Sequence, residues 1–590
     1  MSRLPSLQNV LKAIQITVLR FPLESITAIC GTVFAILLSE EHTDSQEKLY
    51  VKLIMCSSLC LVLFLSVSLF FIAAKKNNIL RFLTSLLLGS LAVLFVFSFQ
   101  EKVTDLEFQQ FFVLNIALHL LVSFSGFLPK VYNQEEFWEF NKQLFLRILT
   151  SALYSGVLYC GLALAIVAVD ELFKVEFYDH IYAHVFFVIA GIFNTIFFLS
   201  GVPETNNEEI PLVLSYPKGL KNFTQYVLLP LISLYLVILI CYEIKILVTL
   251  SLPVGWVSYL VLAFAITGIL SFLLVHPIAN ENGNLWMRTF NRWFYFLLIP
   301  LLGLLFWTTL YRINLYGFTH ERYYVLLLSI WLAVVVAYFL IQKHPKIKFI
   351  PISMCLAGLF SIIGPQSADS ISKHSQLSRF ESYTQKSENK KLTFEQEKDL
   401  SSIVTFLEEN YGIEVMVPYA KTELEALLKK DKDPSDYEIM DALGYKYRSS
   451  NDRKDDSNDS FNYYFYKNDD NVVDNIHGFD FIFTINKFTP FECNNCVTID
   501  NKTFSIKTKS TDYGQDLQIN KDIIPLKIND FINTNSEFRK NYNSGKKIEQ
   551  KIENSKYTIL MTYISANGTI EKNKKSPLNY QIKIMAAIKK

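Results

Sequence analysis

Apolar runs long enough to cross a membrane recur throughout the first 365 residues of this chain. A hydrocarbon core of roughly 30 Å requires about 20 apolar residues in a helix, and eleven such runs follow one another, separated by short polar segments. An apolar share of 51% over 590 residues is also too high for an ordinary soluble protein. We therefore predict a polytopic α-helical membrane domain of about 11 transmembrane helices in residues 1–365. The predicted spans are 22–38, 53–74, 79–99, 108–128, 146–169, 181–201, 224–244, 255–275, 290–310, 323–342 and 348–364.

Charge divides the chain into two parts with different solvents. Asp, Glu, Lys and Arg number 44 up to Pro365 and 67 after it, although the second part is much shorter. The formal net charge is only +1, whereas a protein that wraps a polyanion needs clustered excess Lys and Arg. The charges therefore predict a lipid bilayer as the partner of the first part and no nucleic-acid partner.

Lysine and arginine in the short loops predict the orientation. These residues favour the cytoplasmic side, and the N-terminus together with the even-numbered loops holds 16 of the 23 basic residues before Pro365. Eleven crossings then place the N-terminus in the cytoplasm and the C-terminal domain outside it. The predicted location is the cell membrane, which is the inner membrane in a bacterium that has two.

The composition and residue spacing of the tail after Pro365 are those of a soluble α+β domain. Residues 391–409, 422–430 and 435–443 have helical spacing, and a purely polar stretch at 448–460 predicts a linker. Short alternating runs at 461–466, 479–485, 496–507, 523–528, 557–564 and 580–588 predict five to seven strands, with Asn567-Gly568 as a hairpin turn. The predicted domains are a transmembrane domain at 1–365, a helical segment with linker at 366–455 and a strand-rich extracytoplasmic domain at 456–590.

Two cysteines in the tail, Cys493 and Cys496, flank a pair of asparagines between strand-like runs. A two-residue hairpin there would bring the thiols together, and outside the cytoplasm they would form a disulfide. Free thiols and a redox-active pair remain as alternatives. A single Cys-x-x-Cys lacks the second ligand pair of a structural zinc site, so the sequence predicts no metal site.

Charged or strongly polar residues inside the predicted spans are scarce, and Asn194 in the sixth span is one of them. Asn115 and His119 lie one helical turn apart on the fourth span and share a face. Such residues raise a functional hypothesis by default, while the alternative is an interhelical hydrogen bond. The chain carries no phosphate-binding loop, zinc-protease helix, nucleophile elbow or dinucleotide loop. The sequence therefore leans away from an enzyme and predicts no cofactor.

Basic and amide side chains gather at the predicted cytoplasmic edge. With aromatic neighbours they could form a pocket for an anionic lipid headgroup, since arginine binds phosphate with paired hydrogen bonds. The alternative is that they anchor helix ends and set topology. The candidate contacts are Asn141, Lys142, Arg147, Lys218, Lys221, Arg288 and Arg292.

Several separated motifs that combine aromatic, basic and proline residues occur in order along the chain. They are Arg20-Phe21-Pro22, Phe137-Trp138, Phe140-Asn141-Lys142, Tyr154-Ser155-Gly156, Tyr216 to Lys221, Arg292-Trp293-Phe294-Tyr295 and Tyr316-Gly317. In these motifs the chain resembles the bacterial membrane family called domain of unknown function 4153, over most of residues 15–365 and more weakly as far as Gly412. The resemblance implies a bacterial polytopic membrane protein, and it implies no catalytic residues because the family has no assigned activity.

Two classes of function fit these observations. The first is a permease-like or envelope-organising protein whose extracytoplasmic domain binds an envelope protein or a small-molecule ligand. The alternative is an integral-membrane transferase or flippase-like protein that acts on lipid-linked or anionic lipid substrates, as the basic cytoplasmic edge suggests.

Overall fold

A computed structural model describes the fold. It describes residues 7–40, 43–101, 103–175, 177–204, 215–249, 256–278, 285–384, 392–430, 434–449, 452, 460–464, 476–489, 491–511, 514–535, 538, 541–544, 548–571 and 574–589. The chain divides into two compact units, one formed by residues 1–391 and 403–445 and the other by 392–402 and 446–590. The predicted boundaries at residues 365 and 455 stay predictions.

The first unit is helical. Its first helices are α1 (Leu7–Arg20), α2 (Pro22–Ser39), α3 (Asp44–Ala73), α4 (Asn78–Phe97), α5 (Asp105–Ser125), α6 (Gln134–Phe173), α7 (Ile181–Phe187) and α8 (Asn194–Ser200). Then come α9 (Lys218–Phe223), α10 (Leu229–Thr249), α11 (Trp256–Val275), α12 (Leu285–Tyr316), α13 (His320–Ile341) and α14 (Phe349–Ile362). Two π-helical segments, Val188–Phe193 and Thr224–Leu228, join α7 to α8 and α9 to α10.

The polar end of this series is also helical. Its elements are α15 (Ala368–Thr384), α16 (Phe394–Tyr411), α17 (Lys421–Lys430) and α18 (Asp436–Ala442), and residues 394–402 of α16 are grouped with the second unit. The last three confirm the helices expected in this region, and Ser435 and Glu438 close α18 with a reciprocal capping box. Helix α15 was not predicted, because its serine-rich sequence has only weak amphipathic spacing.

Among the described residues, ten helices are long and apolar enough to cross a membrane. The fold class predicted for this part is confirmed. Helix α3 is its centre, because 67% of its apolar window is buried against neighbouring helices, whereas only 6% of the window in α6 is buried. The surface of α6 is thus left for contact with lipid. This is expected because lipid tails are as apolar as leucine, so an apolar helix surface gains no hydrophobic stabilisation by packing against another helix instead.

The eleventh predicted span is the 14-residue helix α14, which is shorter than a full crossing. It nevertheless runs antiparallel along α13. Phe349 stacks on Tyr338 with ring centroids 4.0 Å apart, and Trp331 Nε1 donates to Ser353 Oγ at 3.0 Å. Beyond the helix, the hydroxyl of Tyr323 donates to the carbonyl of Gln366 at 2.7 Å. The chain from Phe349 to Gln366 therefore follows α13 from near its last residue to near its first.

The second unit contains the strands. They are β1 (Ser460–Tyr464), β2 (Phe481–Asn486), β3 (Glu492–Ile499), β4 (Lys502–Thr511), β5 (Gly514–Ile519), β6 (Asp522–Pro525), β7 (Asn541–Ser544), β8 (Gln550–Glu553), β9 (Tyr557–Glu571) and β10 (Lys574–Ile588), with helix α19 (Ile528–Thr534) after β6. One sheet has the order β2-β10-β9-β1-β7 with β8 also paired to β9, and the other is the meander β3-β4-β5-β6. Among the strands that the structure describes, every pair is antiparallel except β1 with β7.

Both sheets contribute to one hydrophobic core, which includes Ile506 and Leu517 from one sheet and Ile559 and Ile584 from the other. The strand-rich fold class is thereby confirmed. Two predicted turns are wrong. Asn567 and Gly568 lie inside β9, opposite a bulge at Leu578 in β10, so pairing continues past them to Glu571.

The second wrong turn is the one expected at Asn494 and Asn495. These residues form a bulge within β3, because the β3–β4 register shifts between Cys493 and Val497. Asn495 has a positive φ of 51°, as anticipated, but the hairpin itself closes at Asp500 and Asn501, with φ of 48° and 61°. Two successive positive φ values match the backbone twist that a tight β-hairpin needs.

Candidate functional site

Lys142 is the first predicted headgroup contact, and the structure pairs it within the protein. Its Nζ lies 2.6 Å from Glu139 Oε1 one turn earlier on α6, and both side chains are at most 5% exposed. Lys142 Nζ also donates to the backbone carbonyl of Ser215 at 2.7 Å, while Glu139 Oε2 accepts from the Ser215 N–H at 3.0 Å. The ion pair thus binds both polar groups of one peptide residue, and we call this arrangement the Lys142 clasp.

Aromatic side chains extend the clasp towards α11. Trp138 stacks on Tyr216 at 5.5 Å, and its Nε1 donates to the carbonyl of Leu273 at 2.7 Å. Gln134 Nε2 lies 2.7 Å from His276 Nε2. Burial lowers the pKa of His276 from its ordinary value near 6.5, because the charged imidazolium would lose its water. This part of the molecule is therefore a packed structural joint between α6, α11 and the segment before α9.

Arg147 and Asn141, two further candidates, bind helix-end carbonyls. Arg147 Nε donates to the carbonyl of Phe197 at 3.0 Å, and its guanidinium lies 3.9 Å from the centre of the Phe197 ring. Asn141 Nδ2 donates to the carbonyl of Ser123 at 3.1 Å. A backbone carbonyl thus occupies donors that the sequence assigned to a phosphate.

The other headgroup candidates lie elsewhere. Lys218 is exposed and Lys221 half-buried on α9, and Arg288 is exposed on α12. In the part of the chain that the structure describes, no hydrogen bond or ion pair joins Lys218 or Lys221 to the Lys142 clasp. The side chain of Arg292 lies outside the described residues. An anionic pocket built from this set stays a prediction.

Asn115 and His119, the predicted intramembrane pair, make different contacts. Asn115 Nδ2 donates to Ser58 Oγ at 2.7 Å, so it makes an interhelical hydrogen bond between α5 and α3. His119 Nδ1 lies 2.8 Å from the Asn115 carbonyl on its own helix, and the ring is exposed. The exposed ring faces a cavity that the sequence could not reveal.

This His119 cavity has a volume of about 470 Å³ and lies between α3, α5, α6 and α8. Its size falls within the range of small-molecule sites. Its apolar wall includes Leu65, Leu144 and Phe198. The polar residues in its lining are His119, Ser123, Asn141, Ser151, Asn194 and Thr195.

Asn194 enters the cavity directly after a π-helical segment. The segment Val188–Phe193 precedes it, and π-helical turns are frequent at functional sites because they re-aim the next side chains. Its Oδ1 accepts from Ser155 Oγ at 3.2 Å, which fixes the amide. Asn194 was visible in the sequence as an intramembrane amide, whereas Ser123 and Ser151 carry no signal that separates them from other membrane serines.

The lining of the His119 cavity combines uncharged polar groups with apolar side chains. Among the described lining residues there is no carboxylate, lysine, arginine or cysteine, and His119 is the one histidine. No group of three or more His, Cys, Asp or Glu residues that could hold a metal occurs in the described parts of the chain. The cavity offers hydrogen bonds and an apolar wall to a ligand.

Cys493 in the second unit is disulfide-bonded. The side chain of Cys496 lies outside the described residues, so the pairing of Cys493 with Cys496 stays a prediction. Neighbouring contacts hold the bulge in place, since Asn495 N donates to Ser505 Oγ at 2.9 Å and Ser505 Oγ donates back to Asn495 Oδ1 at 2.8 Å.

Comparison with known proteins gives one match. A family model described as Domain of unknown function (DUF4153) matches residues 17–396. No curated protein and no solved structure matches the chain. The matched range contains the Lys142 clasp, the His119 cavity and all ten long apolar helices.

Proposed function

The chain belongs to the family described as Domain of unknown function (DUF4153), and we propose that this multi-pass membrane protein is a permease-like carrier of a small, neutral amphiphile. The observation that carries the proposal is the His119 cavity, a space of about 470 Å³ with hydrogen-bonding groups inside a helical membrane domain. Polar groups at membrane depth are costly, and they commonly mark a substrate pathway.

The lining defines the class of substrate. Amide and hydroxyl groups such as Asn194 and Ser123 match donors and acceptors on a neutral or zwitterionic solute, while Leu144 and Phe198 match an apolar portion. A solute with a full net charge would meet no opposite fixed charge among the described lining residues. A small molecule with one polar and one apolar end fits this cavity best.

The contacts of the basic residues favour this proposal over a transferase or flippase-like activity at the cytoplasmic edge. Lys142 donates hydrogen bonds to Glu139 and to a backbone carbonyl, and Arg147 donates to another backbone carbonyl. Releasing them for a lipid phosphate would leave buried polar groups unpaired, which is costly in a low-dielectric setting. The cavity requires no such rearrangement.

The proposed orientation keeps the N-terminus in the cytoplasm and the strand-rich unit outside it, in a bacterial cell membrane. The excess of basic residues in the even-numbered loops supports it. The path of α14 along α13 supports an odd number of crossings, because it carries the chain back to the level of Tyr323. In that position the strand-rich unit could receive a solute or contact an envelope protein.

Transport in proteoliposomes tests the proposal. Purified protein is reconstituted and incubated with a defined mixture of amino acids, nucleosides and short-chain acyl amides, and the trapped solutes are measured by mass spectrometry. We expect the protein to accumulate at least one of them above protein-free liposomes. Equal contents in both preparations would contradict a permease function.

Matched variants test the site. Asn194→Leu and His119→Leu replace hydrogen-bonding groups in the cavity with an apolar side chain and should abolish the accumulation. Thr150→Val is the control, because Thr150 is exposed on α6 beside Ser151 but does not line the cavity. Elution of all variants at the wild-type volume in detergent confirms that they fold. Unchanged accumulation by both cavity variants would show that the solute passes elsewhere.

A further inference from the structure

We propose that the protein holds an anionic phospholipid at the opposite end of the helical unit, with its phosphate between Arg312 and Arg322 and an acyl chain in an apolar crevice beside them. This site has no lining residue in common with the His119 cavity. It stands or falls independently of the proposed transport function.

The crevice is a lateral space of about 530 Å³ between α5, α11, α13 and α14. Its walls are almost entirely aliphatic and aromatic, with Phe112, Ile116, Leu262 and Leu328 among the lining residues. A space of this composition offers a hydrocarbon chain dispersion contacts on several sides, whereas it offers a polar solute few hydrogen-bonding groups.

One end of the crevice meets a polar pocket of about 130 Å³. Tyr259, Glu321 and Val325 line both spaces, so the two are continuous. The remaining lining residues of this pocket are Ser258, Thr309, Arg312 and Arg322. They lie where α11 and α13 begin and α12 ends, which is the depth of a headgroup in a helix bundle that spans a bilayer.

Two arginines, Arg312 and Arg322, and one carboxylate, Glu321, are among the residues that line this pocket. The charges of Arg312 and Arg379 both act on the Arg322 guanidinium, and the charge of Glu321 opposes them there. The lining thus presents guanidinium groups to an anion. Tyr259 donates its hydroxyl to Glu321 Oε2 at 3.2 Å, which turns that carboxylate towards the tyrosine.

Arg322 is fixed in position and still has donors to offer. Its Nη1 donates to the carbonyls of Tyr316 at 3.1 Å and Gly317 at 3.0 Å. Among the described residues these are its hydrogen bonds, so Nε and Nη2 are left for a ligand. An arginine held in this way presents two parallel N–H groups with the geometry that a phosphate accepts.

Thr309 gives an independent indication of a ligand. The residue is 3% exposed and lines the polar pocket, and its hydroxyl has no hydrogen-bond partner in the described structure. Buried hydroxyls are nearly always paired. A phosphate oxygen in the pocket would accept this O–H and remove the penalty.

Native mass spectrometry with competing lipids tests the proposal. The protein is exchanged into nanodiscs that contain equal amounts of phosphatidylglycerol and phosphatidylcholine with the same acyl chains, then released, and the retained lipids are counted. We expect retained phosphatidylglycerol to exceed phosphatidylcholine by on the order of tenfold, which corresponds to about 1.4 kcal/mol. Equal retention of the two lipids would overturn the proposal and indicate ordinary annular lipid.

Variants locate the binding. Arg312→Gln and Arg322→Gln should each bring the ratio close to one, and Thr309→Val should lower it by a smaller factor. Arg322→Lys keeps the charge and separates the loss of paired hydrogen bonds from the loss of charge. Lys174→Gln is the control, because it removes an exposed cation at the end of α6. If the arginine variants retain the wild-type ratio, or Lys174→Gln lowers it equally, the assignment is wrong.

Discussion

Glu139 and Lys142 form a buried ion pair at 2.6 Å on α6, and Glu171 and Lys174 form an exposed pair at 3.2 Å at the other end of the same helix. Both pairs have i, i+3 spacing. Their side chains differ in exposure, at 2% and 5% for the first pair and 72% and 78% for the second. One helix therefore contains a test of what burial adds to an ion pair.

Lys142→Met should destabilise the protein strongly. It leaves the Glu139 carboxylate buried without its counter-ion, a situation that costs about 3–5 kcal/mol in typical proteins. The double variant Glu139→Gln, Lys142→Met should recover much of that loss, since no buried charge remains. Lys174→Met should cost less than about 0.5 kcal/mol, because exposed pairs contribute little. Thermal unfolding in detergent measures all three, and equal effects of the two lysine variants would refute the importance of the clasp.

Gly317→Ala should destabilise the turn between α12 and α13. Gly317 has φ of +69°, and a Cβ there would lie 2.8 Å from Arg379 Cδ and 2.9 Å from Ser375 Oγ. We expect a loss of about 1–3 kcal/mol, from the left-handed backbone and the crowding together.

Gly303→Ala is the matched control for this turn. Gly303 lies within α12, and a Cβ at this position would meet no atom within 4 Å among the described residues. Alanine there should leave stability unchanged or raise it by up to about 1 kcal/mol, because alanine is the better helix former. If the two alanine variants melt at the same temperature, the strain at Gly317 is absent.

The agreement between predicted and observed helices shows what hydropathy can predict. A run of about 20 apolar residues leaves little choice of structure in a membrane, so every predicted span coincides with a helix. The strands of the tail were harder to predict. Residues 496–507 read as one strand although Asp500 and Asn501 turn the chain within them, and β5 was missed because its sequence, from Gly514 to Ile519, is largely polar.

Prediction of the site residues was limited for a different reason, namely that the sequence does not show which partner a basic side chain binds. An arginine or lysine near a helix end has the same sequence signal whether it binds a phosphate or a backbone carbonyl. Lys142 and Arg147 prove to bind carbonyls of Ser215 and Phe197, which are 73 and 50 residues away in the chain. Only the tertiary structure supplies such partners. For the same reason the cavity at His119 could not be predicted from the polar residue alone.

Acid should destabilise the joint at His276. Burial lowers its pKa in the folded protein below the ordinary value near 6.5, so the unfolded chain binds protons more readily. The stability that depends on neutral His276 is complete above pH 6.5 and decreases as the pH falls below that value. His276→Gln should flatten the dependence of melting temperature on pH between about 7 and 5. His344→Gln, at an exposed histidine, should leave the dependence unchanged, and a parallel change in both variants would contradict this assignment.

Mapping the disulfide tests the bulge in β3. Alkylation of free thiols in intact cells, followed by non-reducing digestion, should recover Cys493 and Cys496 in one linked peptide. Cys56 and Cys60, which are free and buried in α3, should be alkylated only after denaturation. Recovery of Cys493 as an alkylated thiol would show that the disulfide is absent. The argument that this unit lies in an oxidising compartment would then lose its support.

The side of the membrane on which the strand-rich unit lies depends on one short helix. Ten crossings would return the chain to the side of the N-terminus, and α14 makes the number odd if it crosses. At about 1.5 Å per residue its 14 residues cover roughly 21 Å, and the segment up to Gln366 extends this path to the level of Tyr323. A bundle in which α13 spans the bilayer therefore carries Gln366 to the far side.

Paired fusions decide the matter. Alkaline phosphatase fused after Lys590 should be active, since it folds only outside the cytoplasm, whereas the same enzyme fused after Lys343, before α14, should be inactive. Green fluorescent protein at these two positions should give the opposite pattern. The two fusion sites are separated by α14 and the tail. Phosphatase activity after Lys343, or its absence after Lys590, would therefore show that the number of membrane crossings before that site is not even or odd as predicted. An inactive fusion after Lys590 would place the strand-rich unit in the cytoplasm, and a role in receiving solutes or partners from outside would then be excluded.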